Sequence, residues 1–463
     1  MAIATVVSYI SLNWLVEVAA RVEAMEQLRE GASVESIDLE LTTRKFELNE
    51  MCLHLLGSKG RIVMDLCISL YMFATLWSYT SVWVSSITST IPVVGVTDHG
   101  HVDDLKACDI YDSDKLPSEC EHAYMLYTAI FVLLVVPLSC AELTETVKMQ
   151  VALTIFRFVA LFTMIVTCLT GLWSEPYVRH STSESTPYVG DGVLAWRWHG
   201  TVNIISSAIF ALMTHHSVSS IVQPIVPKAS VNRVFLAASL ATAGFYLVVS
   251  ICAVLYYGDA VKAVVSLNWS DYAGAVPRRE PTWWSHIVRY LIVLFPVVDI
   301  VSAYPLTAVT LGNNLVLLAS DEVKARYGHR RVLIFFRILA AFPPIIGGFF
   351  VRDLSKIIQF TGLLGVMIAF IIPGLLQIKS RTALEAMLAE KRAAESPQDS
   401  KSDLQAQALI SCTRGVGRTP YGLPTGGNRF VYSICAFALV ALFAILAGIF
   451  IPGVRYGDAK SIH

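Results

Sequence analysis

Ten stretches of this 463-residue chain are long and apolar enough to cross a lipid bilayer: roughly 1–20, 61–91, 123–141, 151–173, 201–223, 233–257, 286–312, 332–350, 357–377 and 430–451. A span needs about 20 mostly apolar residues, because the hydrocarbon core is about 30 Å thick and a helix rises about 1.5 Å per residue. Lipid offers no partner to a peptide group, so each stretch has to satisfy its own backbone as a helix. The sequence therefore specifies an all-α polytopic membrane protein. Composition agrees, with 55% of residues hydrophobic and 15% charged, where soluble domains carry about 25% charged residues. A net charge of −1 argues against a nucleic-acid partner and leaves membrane lipid and a small solute as the partners to expect.

Charge orients the spans. With residues 21–60 on the cytoplasmic side, strict alternation puts 142–150, 224–232, 313–331 and 378–429 there too. Of the 35 Lys and Arg residues, 21 fall on that side when span edges are included and 11 on the other, the excess expected from the positive-inside rule. Asn268-Trp269-Ser270, the single glycosylation sequon, then lies in the external or luminal loop 258–285, which makes Asn268 a glycosylation candidate. Cys108 and Cys120 share that face in the loop 93–122. A bridge between them would add about 3 kcal/mol of stability; unbonded loop cysteines are the alternative. The other seven cysteines lie in spans or on the cytoplasmic side and are expected as free thiols. Met1 begins almost inside the first apolar run, with no basic leader or small-residue cleavage site, so no cleaved signal peptide is expected.

Residues 1–377 hold nine of the spans, 378–429 reads as a cytoplasmic linker, 430–451 is the final span and 452–463 a short tail. Within the linker, Thr382 to Glu395 is rich in Ala, Glu, Leu and Lys and reads as a short solvated helix. Ser396 to Asn428 gathers Ser, Gln, Gly and Pro and reads as weakly ordered. Residues 45–59 alternate Phe46, Leu48, Met51, Leu53 and Leu56 with polar positions, the pattern of an amphipathic helix on a membrane surface.

Polar residues inside spans point to function, because burying them in lipid is costly. Arg157, Arg289 and Arg337 each lie within about six residues of a span end, close enough to reach headgroup oxygens by snorkelling. Glu17 and Asp299 lie deeper. Asp299 sits midway along its span between Pro296 and Pro305, where the backbone loses hydrogen bonds. Both carboxylates are candidates for ion coupling.

The densest polar cluster in any span is Thr214 to Ser220, with Pro224 closing the segment. Ser217, Ser219 and Ser220 can satisfy carbonyls freed by an interrupted helix, so a discontinuous helix lining a cavity is expected. Helix-to-helix hydrogen bonding, worth about 0.6 kcal/mol per contact, is the plainer alternative. His215 and His216 project about 100° apart on a helix and do not suit one metal or one haem, so no metal and no cofactor is expected. Nor does the chain show a nucleophile elbow or paired carboxylates of the kind an enzyme would need.

Four segments in order along the chain carry a resemblance. They are Phe46-Glu47-Leu48 ahead of the second span, HHSVSSIVQPIVPK from His215 to Lys228, LFPVVDIVSAYPLTAVTLGNN from Leu294 to Asn314, and DLSKIIQFTGLLGVMIAFIIPGLL from Asp353 to Leu376. Together they resemble the amino acid/auxin permease family, in particular its transmembrane protein 104 branch, over essentially the whole chain. The resemblance implies an eleven-helix fold with the inverted-repeat core of amino acid transporters, in which helices one and six are broken around a midplane solute site. Met1 to Ala20 is similar to the family's second helix, Glu17 included. The first helix is then expected to be missing, through truncation of the sequence or through loss of transport. Span 201–223 corresponds to the sixth helix, and Met213, Thr214, His215, His216 and Ser217 would supply half of the solute site.

Ser302 matches a hydroxyl that the eighth helix offers to sodium in coupled relatives of the wider fold, although its neighbour Val301 is apolar. Proton coupling through His215, His216, Glu17 or Asp299 is the alternative. The expectation is a secondary active transporter of amino acids or similar small zwitterions, coupled to H+ or Na+. It would work by alternating access, with a bundle containing 201–223 rocking against a scaffold that includes 61–91 and 286–312. The alternative is a non-transporting membrane sensor or interaction protein that signals through 378–429. The sequence leaves both a plasma membrane and a lysosome- or vacuole-like organelle open as the location.

Overall fold

A computed structural model describes residues 1–34, 37, 39–42, 44–91, 108, 118–141, 146–174, 198–258, 261–270, 272–274, 282–317, 320–395, 419–423 and 427–450. The helices are α1 (Ala2–Arg29), α2 (Leu48–Thr88), α3 (Ser118–Cys140), α4 (Thr146–Ser174), α5 (Trp198–Ala211), α6 (Val218–Val222), α7 (Val231–Tyr257), α8 (Trp283–Val316), α9 (Asp321–Tyr327), α10 (His329–Phe350), α11 (Leu354–Val366), α12 (Ile372–Glu395) and α13 (Asn428–Phe450). A π-helical turn at Met367–Ile371 joins α11 to α12. Ten helical segments among the described residues are long and apolar enough to cross a membrane, the number read from the sequence.

Several ends lie beyond the apolar runs. α1 continues to Arg29 where the run stops near residue 20, because Arg21, Glu23 and their neighbours are held by protein rather than released to solvent. Arg21 is therefore not a loop charge but a buried member of a span. The last core span likewise runs on through α12 to Glu395 without the separate solvated helix expected there, since Ala, Glu, Leu and Lys sustain a helix that has already nucleated.

α2 contains a sharp joint. Gly57 adopts φ 72°, ψ −172°, a conformation closed to side-chain-bearing residues, and divides Leu48–Leu56 from the long span that follows. Phe46 just ahead of the leading piece, and Leu48 and Met51 within it, are buried against protein. The amphipathic face read as membrane-seeking thus packs on the protein instead.

The chain forms two compact units. The first comprises Met1–Tyr71, Trp198–Ala243 and Gln359–His463. There α1 lies along α12, and Trp14, Leu15 and Val18 of α1 are fully enclosed. The 419–423 segment, expected to be loose linker, is part of this packing. Tyr421 is buried, its hydroxyl accepts from the Leu41 N–H at 3.1 Å, and its carbonyl accepts from Asn232 Nδ2 at 3.0 Å.

In the same unit α5 approaches α11 closely at a glycine. A Cβ on Gly362 would stand 2.8 Å from the Ser206 Cα and 3.1 Å from its carbonyl oxygen, and backbone cannot swing aside as a side-chain tip does. Gly362→Ala should push α5 off α11 at a cost of about 1–3 kcal/mol, read as a lower melting temperature in detergent. Gly244→Ala is the control, since a Cβ there meets nothing within 4 Å. Equal melting temperatures for the two variants would show that the seam has slack.

The second unit comprises Met72–Arg197 and Gly244–Ile358. α8 packs against α3, α4 and α10, and a buried cluster including Met164, Cys168, Leu267, Trp269, Ile292 and Val293 forms its core. Trp269 donates from Nε1 to Thr167 Oγ1 at 3.0 Å, which meets its one polar need while the ring fills the core. The turn Val265–Trp269 that carries it is well packed, so the sequon belongs to a folded turn and not to a free loop. Ser270 is buried, and Asn268 Oδ1 accepts from the Lys262 N–H at 3.0 Å. Cys108 and Cys120 form a disulfide, with Cα atoms 5.6 Å apart. Cys52, Cys67, Cys140, Cys168, Cys252 and Cys435 are free thiols; Cys412 lies outside the described residues.

Candidate functional site

The first unit holds the polar cluster of the fifth apolar run. α5 ends at Ala211, Leu212 to Thr214 leave the helix, His215–Ser217 form a 3-10 turn and α6 resumes at Val218. The break falls where hydroxyls and imidazoles replace apolar side chains, because such groups offer the backbone alternatives to the helical ladder. Ser219 does not bond a carbonyl of the interrupted helix; its hydroxyl donates to the Phe46 carbonyl ahead of α2.

The five expected solute-site residues diverge in exposure. Met213 and His215 are buried, His216 and Ser217 are half-buried and Thr214 is exposed. Neighbouring positions in a 3-10 turn project about 120° apart, which gives the two imidazoles different surroundings. His216 packs on Tyr71, ring centroids 5.8 Å apart. His215 meets the edge of Phe370 at 6.3 Å and is only 1% exposed.

His215 Nε2 lies 2.8 Å from Ser11 Oγ on α1. The Ser11 hydroxyl also lies 3.0 Å from the Ser8 carbonyl, and in the tautomer with the proton on Nε2 the imidazole donates to Ser11 while Ser11 donates to Ser8. In that tautomer Nδ1 is a bare acceptor. Among the described residues Nδ1 of His215 has no hydrogen-bond partner, nor has Nδ1 of His216. A buried polar atom without a partner costs about 1–3 kcal/mol. The broken helix thus presents two unmet imidazole nitrogens. A narrow cleft flanks α6, lined by Val16, Ala19, Phe46, Val218, Ser219 and Val222; neither histidine borders it.

Glu17 belongs to the same unit. Its carboxylate is bound by Arg21 one turn on along α1 and accepts from Gln377 Nε2 at 3.0 Å. Arg21 also donates to Gln377 Oε1 at 2.8 Å and Ser380 Oγ at 3.2 Å, tying α1 to α12. Arg381 stands 3.9 Å from Glu17. Of these partners the sequence reading singled out only Glu17. Arg21 lay beyond the expected span end, and Gln377 and Ser380 are more than 350 positions away.

Asp299 and Ser302 fall in the second unit, on α8. Arg157, read as reaching for headgroups, pairs its guanidinium with Asp299 Oδ1 at 2.5 Å, its side chain 45% exposed. Gln150 Nε2 donates to Ser302 Oγ at 2.7 Å. Arg337 is also enclosed, only 9% exposed, with its Cα 2.9 Å from where a Cβ on Gly312 would stand. Arg289 lies over the Tyr290 ring at 5.7 Å.

A family model described as transmembrane amino acid transporter protein matches residues 1–392. Among individual proteins, the chain is similar to transmembrane protein 104 of Homo sapiens, 26% identical over 341 residues that make up 72% of this chain and 64% of that protein. The transmembrane protein 104 homolog of Drosophila melanogaster is 24% identical over 358 residues, 75% of this chain and 67% of the homolog. The homolog of Dictyostelium discoideum is 23% identical over 362 residues, with shares of 74% and 64%. The chain thus spans less than two thirds of the human protein's length.

Proposed function

The chain belongs to the transmembrane amino acid transporter family, and from that premise we propose that it carries amino acids or similar small zwitterions across a membrane by alternating access. One observation supports the reading most directly. At the break between α5 and α6, a buried imidazole meets Ser11 through Nε2 and leaves its other nitrogen, Nδ1, without a partner among the described residues. A protonated amine is the complementary group, and a charged donor makes the stronger hydrogen bond. His216 Nδ1 offers a second acceptor, and the Tyr71 and Phe370 rings supply apolar walls.

The joint itself suits transport. Because Leu212 to Thr214 carry no continuous helix, α5 and α6 can tilt separately, and each tilt changes access to the imidazoles without melting either helix. His215 is enclosed in this conformation, as an occluded step requires.

Uptake of a panel of labelled amino acids into proteoliposomes, under an inward proton gradient, an inward sodium gradient and neither, tests the reading. At least one amino acid should accumulate under one gradient above protein-free vesicles. If none moves under any condition, the carrier reading fails.

A further inference from the structure

The apolar runs of the last two spans stop at one polar end of the first unit. There α12 packs beside α13, and a cavity of about 430 Å3 is lined by Ile378, Arg381, Thr382 and Glu385 of α12 and by Asn428 and Arg429 of α13. Small-ligand sites occupy about 300–1,000 Å3. None of these six residues belongs to the broken-helix site.

The cavity is short of negative charge. Glu17, which Arg381 approaches to 3.9 Å, is already bound by Arg21, and Arg429 is exposed at the start of α13. Arg21, Arg381 and Arg429 thus stand against Glu17 and Glu385, an excess of one positive charge. Each guanidinium can hold two oxygens of a phosphate. A phosphomonoester presents three strong acceptor oxygens and suits two guanidiniums better than a diester, which has only two unesterified ones. Glu385 cannot meet such an anion, so the ligand has to bring donors as well. Ring hydroxyls supply them, donating to the Glu385 carboxylate and pairing with the Thr382 hydroxyl and the Asn428 amide.

Position decides what carries the phosphate. Leu375 precedes Ile378 by three positions and Thr382 by seven, so the cavity-lining face of α12 continues into the apolar run, and Leu375 is exposed there. Phe430, next to Arg429, is exposed as well. Exposed apolar side chains on the span side of a basic cavity suit acyl chains, and basic pockets between membrane helices hold phosphoinositide headgroups. The charge pattern of the sequence puts this end on the cytoplasmic side, where anionic lipids concentrate.

We propose that the cavity between α12 and α13 binds the phosphorylated inositol headgroup of a membrane lipid, with the monoester phosphate held by Arg381 and Arg429 and the ring hydroxyls met by Glu385, Thr382 and Asn428. The site does not depend on solute transport.

Thermal unfolding of the purified full chain in detergent, titrated with dioctanoyl lipids, tests it apart from any uptake assay. Phosphatidylinositol monophosphate should raise the melting temperature of wild type by a few degrees and saturate. Phosphatidylinositol, which lacks the monoester, should do so less, and phosphatidylcholine not at all. The soluble inositol bisphosphate headgroup should bind about tenfold or more weakly than the lipid, because it leaves Leu375 and Phe430 uncovered. Arg429→Gln should melt like wild type without lipid, its side chain being exposed, and should need about tenfold more phosphatidylinositol monophosphate for half the shift. Thr382→Trp fills the cavity without changing charge and should abolish the shift, which distinguishes a site from general attraction to a basic surface. Equal shifts in wild type and both variants overturn the proposal, as does a wild type that responds no more to phosphatidylinositol monophosphate than to phosphatidylcholine. Equal responses to the two inositol lipids overturn the monoester, and equal binding of the soluble headgroup overturns the membrane as its source.

Discussion

His215→Ala is expected to lower transport by about 10- to 100-fold while leaving the amount of folded protein near wild type. The magnitude follows from losing one hydrogen bond to a charged group, about 1.5–3 kcal/mol, at 1.4 kcal/mol per tenfold. The ring's contacts explain why the fold should survive. His215 Nε2 bonds with Ser11, which keeps the Ser8 carbonyl within reach, and the ring touches Phe370 only at the edge. The loss should appear mainly in apparent KM, because the acceptor meets the bound solute. His216→Ala should show a smaller loss, since its ring is less enclosed. Ser11→Ala removes the group that holds His215 Nε2 and should weaken uptake without abolishing it. Wild-type uptake by His215→Ala would remove the imidazole from the site.

The largest effect on stability is expected at Glu17. Glu17→Ala leaves Arg21 fully enclosed without its carboxylate, and removing one partner of a buried pair costs about 3–5 kcal/mol. Gln377 cannot compensate, because its carboxamide oxygen already accepts from Arg21 and its Nε2 loses the acceptor that Glu17 provided. The variant should aggregate on extraction or melt far below wild type. Replacing both charges, Glu17→Gln with Arg21→Met, should recover most of the loss, since a neutral pair of similar volume avoids the stranded charge. Comparable melting of Glu17→Ala and wild type, or a double variant no better than the single one, would count against the network as the fastening of α1 to α12.

How much of this was legible depends on the range of the interaction. The spans were, because lipid forces a helix wherever about 20 apolar residues run together. The break at His215 was foreshadowed by Thr214, the paired imidazoles, the three serines and Pro224, all within one short stretch. The partner of Arg157 was not legible, because Asp299 lies 142 positions away and no apolar run announces the pair. Tyr421 gave no signal at all, being one aromatic in a segment of Gly and Pro. Its burial depends on a backbone donor at Leu41 and a side chain at Asn232, neither of which leaves a mark near position 421.

The sequence by itself determined that the chain spans a membrane, which helices among the described residues are long and apolar enough to do so, and which short stretch departs from helix, since each follows from local composition acting on a backbone that must pair with itself. Only the tertiary structure decided which polar groups meet. Arg157 and Asp299 are 142 positions apart, Arg21 and Gln377 are 356 apart, and Ser11 and His215 are 204 apart. A charge or an imidazole in lipid needs a partner, but that need says nothing about where along the chain the partner lies; packing of the helices supplies it.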